Sequence, residues 1–181
     1  MALIEASLTD EELTYCLDQH ALWIKGESQK KLKIEHISCI GKCFDDAQLY
    51  GASFINCNLG RTSFIQADLR ESSLANSNIT YSNFTRANLE ASNLSITYGV
   101  STNFKDVNFS YANLVRANLS LSNLHKANLY GADLSKASLQ GADLRGANLK
   151  VASAKGCLIW QARFSSKADK ARLILLGAID D

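Results

Sequence analysis

The sequence holds few residues of the types that catalysis and metal binding require. His20, His36 and His125 are its only histidines, and none belongs to a recognisable nucleophile-base pairing. A glycine-rich phosphate-binding loop is also absent from the sequence. His36, Cys39 and Cys43 have the spacing of half a metal site, but no second Cys/His pair follows. We therefore predict no catalytic residue, metal ligand or cofactor, and a protein that is not an enzyme.

A regular apolar pattern organises the rest of the chain. A large apolar residue recurs at every fifth position from Phe44 to Phe164, broken only by Gly99 and Ala154, and the residue two positions earlier is small. On an α-helix successive members would lie about 140° apart, and on a flat strand they would alternate between faces. The pattern instead predicts a chain that turns a corner every five residues, with its short sides stacked as parallel strands about 4.8 Å apart around a shared interior.

The phenylalanines indicate how many sides each coil has. Phe44, Phe64, Phe84, Phe104 and Phe164 are separated by twenty residues or a multiple of twenty, so a four-sided coil of twenty residues would stack them in one column. Residues 41–165 would then form about six coils. Leu32, Ile34 and Ile37 are expected to form an irregular first coil. The predicted structural core includes Phe44, Phe64, Phe84, Phe104, Phe109, Leu124, Leu144 and Phe164.

At this point the sequence resembles a known family. The segments ANLYG (127–131), ADLSK (132–136) and ADLRG (142–146) look like the A(D/N)LXX unit of pentapeptide-repeat proteins, and such units cover about two-thirds of the chain. The resemblance implies an all-β solenoid, a right-handed quadrilateral parallel β-helix with the central Leu or Phe and the small residue both inward. It implies much less about function, because fold and function separate easily in repeat proteins.

The polar residue before each central position is mostly Asn, Asp or Ser, types whose side chains bond to nearby backbone in turns. Asp68, Asp133 and Asp143 share this position, so we expect them to be structural and not acid-base groups. Cys57 and Cys157 belong to the small inward positions, five coils apart, which exceeds disulfide reach. We expect both to fill the core.

Both ends of the repeat carry helix signals. Thr9 and Glu12 form a capping box, and Gly26 would end the first helix within an N-terminal segment, 1–40. Ser166 would begin a second helix in the segment 166–181, running to about Ile179. Each helix either covers an end of the column or docks a partner, and the second could pair two subunits as a homodimer.

Charge is unevenly distributed along the chain. Residues 1–115 hold nine Lys/Arg and thirteen Asp/Glu, a net of −4, whereas residues 116–172 hold ten and three, a net of +7. The four-sided register places a possible interaction stripe on one side, interrupted by Asp106 and Asp143: Arg86, Lys105, Lys126, Arg145 and Arg163. The stripe could meet an acidic protein surface or a nucleic-acid backbone, or it is the solvated face that any repeat needs.

One irregularity interrupts the column, where Gly99 takes a central position and Tyr98 replaces the usual Asn or Asp. We expect either a gap filled by a neighbour such as Tyr98, or a backbone bulge. A ligand notch is the less favoured alternative.

Composition bounds the remaining hypotheses. The net charge is +1, proline is absent and no apolar run approaches the length of a membrane span. The first eight residues lack the pattern of a signal peptide, so we expect a bacterial, cytoplasmic protein without membrane contact. We predict a rigid scaffold whose outer faces bind another macromolecule, most simply a protein. The alternative, implied by the resemblance, is DNA mimicry that protects or inhibits DNA gyrase, which weak acidity and the lack of loops disfavour. Direct nucleic-acid binding ranks third, because outward aromatic residues are few.

Overall fold

The computed structural model describes residues 7–27 and 31–180. Helix α1 spans Asp10–Ile24 and helix α2 spans Lys167–Leu175, and a column of short parallel pairings lies between them. Residues 1–6 and 28–30 of the predicted N-terminal segment, and residue 181, lie outside the described part. Neither described helix is long and apolar enough to cross a membrane.

The column is built from parallel bridges that join residues one coil apart. They run from Lys33 with Ser53 to Asp143 with Arg163, and nearly all of them pair residues separated by twenty positions. Backbone hydrogen bonds join the same neighbouring coils: the N–H of Phe64 donates to the carbonyl of Asn83 at 2.8 Å. The twenty-residue, four-sided coil is therefore confirmed.

The first coil is regular, which corrects our expectation. Leu32 and Ile34 are buried, and the N–H of Ile34 already donates to the carbonyl of Ser53 at 2.8 Å. Cys39 takes the next central position and is also buried. The apolar period thus begins ahead of Phe44, with members that the Leu/Phe pattern did not include.

Most corners have the same local structure, and Val151, which has no positive φ, is an exception. The second residue after the central one adopts a left-handed conformation, as at Arg86 with φ 60° and Lys126 with φ 58°. The polar residue before the central position closes the turn: Asn83 Oδ1 accepts from the N–H of Thr85 at 3.0 Å, and Asp133 Oδ1 accepts from the N–H of Ser135 at 2.8 Å. This geometry explains why Asn and Asp recur there, since their side chains replace a backbone acceptor.

The interior is filled by stacked rings on one side. Phe44, Phe64, Phe84 and Phe104 stack face to face, with centroid separations of 4.8, 4.7 and 5.2 Å. Phe54, from the opposite side, meets Phe64 edge-on at 5.9 Å. Because face and edge of an aromatic ring carry opposite partial charge, the edge-on contact across the column adds to the hydrophobic burial.

Buried hydroxyls tie successive coils together. Ser77 Oγ donates to the carbonyl of Phe54 at 2.5 Å, and Thr62 Oγ1 donates to that of Cys39 at 2.9 Å. Cys57, in the same small inward position, is buried and its Sγ donates to the carbonyl of Ile34 at 2.8 Å. The small inward residues therefore fit the narrow interior and satisfy carbonyl groups of the coil before.

Helix α1 begins as the sequence predicts. Thr9 is the N-cap, the capping box with Glu12 is complete, and Lys25 is the C-cap. Leu13 and His20 are the buried residues of the helix. The helix therefore covers the first coil. This cover protects the edge of that coil from pairing with another chain.

The C-terminal end differs from the prediction in two ways. Helix α2 starts after Ser166 as expected but ends at Leu175, and Ile179 instead pairs with Leu158 as a further piece of the ladder. Phe164 is only partly buried, and Leu173 is the single residue of α2 that is buried. The other seven predicted core residues are buried.

Candidate interaction surfaces

The predicted stripe lies on one side of the column, here called the phenylalanine side, made of residues 42–46, 62–66, 82–86, 102–106, 122–126, 142–146 and 162–166. The N–H of Arg86 donates to the carbonyl of Lys105 at 3.0 Å, and the N–H of Lys126 donates to that of Arg145 at 3.0 Å. The N–H of Leu144 donates to the carbonyl of Arg163 at 2.8 Å. All five cationic residues are exposed along this side.

Two members of the stripe are neutralised by one carboxylate. Asp143 Oδ2 lies 2.7 Å from Arg145 Nη2 and 2.8 Å from Arg163 Nη2. The hydrogen bond from Arg145 is the main reason that the pKa of Asp143 falls from its usual value to about 2. Among the described residues, Arg86, Lys105 and Lys126 form no ion pair. These three therefore carry the charge that the stripe offers to a partner.

The residues with metal-like spacing do not converge. Cys39 is buried inside the column, whereas His36 and Cys43 are exposed at different positions around it. Within the described ranges no group of three or more His, Cys, Asp or Glu side chains could hold a metal ion. Burial raises the pKa of the Cys39 thiol to about 11 and that of Cys157 to about 12, so neither is a thiolate near neutral pH.

His20 has a structural role at the N-terminal end. It is fully buried, stacks on Trp23 with centroids 5.3 Å apart, and its Nδ1 accepts the N–H of Leu32 at 3.0 Å. Burial, with a smaller contribution from Lys31, lowers the pKa of His20. The neutral imidazole therefore joins helix α1 to the first coil, and the residue has the environment of a packing contact.

The irregularity at Tyr98 and Gly99 is a packing adjustment. The backbone keeps its register, since the N–H of Gly99 donates to the carbonyl of Asn118 at 2.7 Å. A Cβ on Gly99 would lie 3.0 Å from a methyl of Leu119 and 3.1 Å from Ile79, so these two side chains fill the space. The prediction that Tyr98 fills the gap is wrong, because its ring lies outside the column and is exposed. No bulge forms at this point.

A shallow cleft of about 360 Å³ lies where helix α1 meets the column. Its polar groups already satisfy one another, because Arg70 Nη2 lies 2.6 Å from Asp68 Oδ2 and the guanidinium lies over the ring of Tyr50. The remaining wall is formed by Trp23, Ile24 and Gln48. The cleft therefore presents paired groups and apolar surface, without a converging set of catalytic side chains.

A second surface was missed in the sequence. It is the side that precedes the phenylalanine side along the chain, here called the uncharged side, made of residues 37–41, 57–61, 77–81, 97–101, 117–121, 137–141 and 157–161. Arg61 is the only charged residue in these segments. They nevertheless expose five large apolar residues: Ile40, Tyr81, Tyr98, Leu121 and Trp160. Sorting the outward residues by side, and not along the chain, would have revealed this surface.

The family model for pentapeptide repeats matches in eight copies, which cover residues 43–95 and 102–165 and so more than half of the chain. The chain belongs to the pentapeptide repeat family. This pentapeptide repeat protein accordingly has the family's right-handed quadrilateral β-helix, with a helix at each end. Among curated proteins, no sequence matches it significantly.

Several solved structures match this chain at low sequence identity. Rfr23, a pentapeptide repeat protein of the cyanobacterium Cyanothece 51142, is 22% identical over 93% of this chain and 99% of its own, with a TM-score of 0.49. HetL, a pentapeptide repeat protein involved in heterocyst differentiation regulation in the cyanobacterium Nostoc sp. strain PCC 7120, is 23% identical over 86% of this chain and 70% of its own, with a TM-score of 0.45. QnrB1, a plasmid-mediated fluoroquinolone resistance protein, is 18% identical over 79% of this chain and 86% of its own, with a TM-score of 0.42.

Proposed function

We propose that this pentapeptide repeat protein is a non-enzymatic scaffold, working in the bacterial cytoplasm, that binds an acidic protein surface through the stripe on its phenylalanine side. The observation that carries this proposal is the column itself: its interior is filled, so only the outer faces are left for binding. A flat, rigid face needs little reordering when a partner docks, and the entropic cost of association is correspondingly small.

The charges on the phenylalanine side make it the best candidate for the surface that binds the partner. The side carries ten charged residues, six basic and four acidic: Lys42, Asp45, Asp46, Arg86, Lys105, Asp106, Lys126, Asp143, Arg145 and Arg163. In the middle of the column Arg86, Lys105 and Lys126 are opposed only by Asp106. A partner with a row of carboxylates would be steered to this point and oriented by it.

A protein partner fits this side better than nucleic acid does. All aromatic residues in its segments are the inward phenylalanines, so it offers no ring on which a base could stack. DNA mimicry of the gyrase-protecting kind remains the alternative function, and it would need a continuous negative face. The cations in the middle of this side and the net of +7 in residues 116–172 count against it.

The test is affinity capture from the native host with two matched triple variants. Arg86→Glu, Lys105→Glu and Lys126→Glu reverse the stripe, whereas Lys25→Glu, Lys136→Glu and Lys150→Glu reverse the same number of charges away from the phenylalanine side. We expect a partner that is retained by the wild type and the second variant, is lost by the first, and dissociates as salt is raised. Equal recovery by both variants would contradict the proposal.

The alternatives have their own readouts. Relief of quinolone inhibition in a gyrase supercoiling assay would restore DNA mimicry to first place. A shift of duplex DNA in gel electrophoresis that disappears in the stripe variant would indicate nucleic-acid binding.

A further inference from the structure

The uncharged side exposes apolar groups that cost the protein stability. Tyr81 and Leu121 are each 64% exposed, and both stand at corners where φ is 59°. Left-handed backbone favours Gly or Asn over such residues, and the equivalent corners of the first and sixth coils hold Gly41 and Gly141. Large apolar side chains at these positions therefore carry two costs, a disfavoured backbone conformation and apolar surface exposed to water. The second cost is removed if another surface covers them.

The outward residues of this side follow a two-fold pattern. Each coil advances by twenty residues, so turning the column end over end about the coil of Tyr98 exchanges the first coil with the last. The turn places Ile40 opposite Trp160, Tyr81 opposite Leu121, and Tyr98 opposite its own copy. Every large apolar residue exposed on this side thus meets another one.

Sizes match under the same rotation. Gly60 comes to face Gln140, and Gly141 comes to face Arg61. The one charged side chain of this side therefore lies over a glycine, where it has room to reach the rim and water. A small residue opposite a large one is what two interlocking copies of a single surface require.

The charged edge selects the antiparallel arrangement. At the corner that leads into the uncharged side, Glu35 lies at the first coil, while Arg116, Lys136 and Lys155 lie further along. Turning the copy end over end sets Glu35 opposite Lys155. A parallel pair would instead set Lys155 opposite Arg163 of the copy, two like charges, and Glu35 opposite Cys43.

We propose that two copies of this chain associate through their uncharged sides, antiparallel, about a two-fold axis at Tyr98. The six steps from Ile40 to Trp160 span about 29 Å at the usual strand spacing, and a side with its corners is about 14 Å wide. The two copies would cover about 800 Å² of projected area, at the low end for specific interfaces. The dimer is therefore transient and depends on concentration.

The arrangement has a functional consequence. The rotation axis lies in the plane of contact and leaves the phenylalanine sides of both copies facing the same way. Two stripes would then run side by side in opposite directions, and an extended acidic partner would meet six unpaired cations instead of three.

Sedimentation velocity from about 10 µM to about 1 mM tests the dimer. We expect the wild type to pass from monomer to dimer within this range. Tyr81→Glu and Leu121→Lys should each weaken association about tenfold or more, since each buries two unpaired charges. The double variant should recover association, because the rotation sets position 81 of one copy opposite position 121 of the other.

Two controls make the result specific. Tyr111 is also an exposed tyrosine with φ 59°, but it lies away from the uncharged side, so Tyr111→Glu should associate as the wild type does. Leu175→Lys would disrupt pairing through helix α2, the alternative way in which two copies could associate. The proposal is overturned by a wild type that stays monomeric, by a double variant as weak as the single variants, by equal weakening in Tyr111→Glu, or by a dimer lost only in Leu175→Lys.

Discussion

Replacing Phe84 by alanine should destabilise the column more than the same change at any end of the stack. The Phe84 ring is fully buried between two others, with centroids 4.7 Å from Phe64 and 5.2 Å from Phe104. Truncating a buried phenylalanine removes its transfer free energy and leaves a cavity, which together cost about 3–5 kcal/mol. The hydrogen-bonded ladder on both sides limits collapse around the gap, so we expect the upper half of this range.

The matched control is Phe164→Ala, in the same column but only partly buried. Incomplete burial and an open end should reduce the cost to about 1–2 kcal/mol. Urea unfolding followed by far-ultraviolet circular dichroism gives both free energies of unfolding, provided that the slope with denaturant stays constant. Equal losses at the two positions, or a loss below about 1 kcal/mol at Phe84, would refute the account of the core as a tightly stacked interior.

Three further predictions concern single groups. The pKa of His20 is lowered by burial, so its contribution to stability is complete above about pH 6.5 and is lost as pH falls further; Trp23 fluorescence in a Trp160→Phe background should report release of helix α1, and His20→Gln should remove the pH dependence. The pKa of Asp143 is lowered to about 2, so Asp143→Asn should cost about 1 kcal/mol in thermal unfolding at pH 7, and the difference should vanish as pH falls from 3.8 towards 2. Ile96 is exposed with φ 60°, which disfavours a β-branched side chain, and Ile96→Asn should raise the free energy of unfolding by about 0.5–1 kcal/mol.

The side on which a repeat residue lies follows from its number alone, because the five-residue step is never interrupted. That is why Arg86 and Arg163 could be assigned to one face without coordinates. The capping box of Thr9 and Glu12 was equally predictable, since it depends on contacts within one turn. In both cases the deciding interactions are local or are repeated identically in every coil.

Features that depend on how long side chains settle could not be predicted. Arg145 and Arg163 lie on the side of Asp143 by sequence, but only the structure shows that both guanidinium groups reach one carboxylate. The burial of Phe164 depends on how far helix α2 extends beneath it, and that helix ends just before Gly177, whose φ is 90°. The gap at Gly99 could have been filled by any of several neighbours one coil away.

In a coil with five residues per side, the number of a residue fixes both the side on which it lies and its height along the column. Inserting five residues at one level would swing everything beyond it by a quarter turn, carrying Arg145 and Arg163 away from the wall that bears Arg86. Inserting twenty residues would add one coil of about 4.8 Å and leave the residues of every side aligned. Changes in length are therefore tolerated as whole coils. Smaller insertions would move outward residues to other sides and change the surface that a partner contacts.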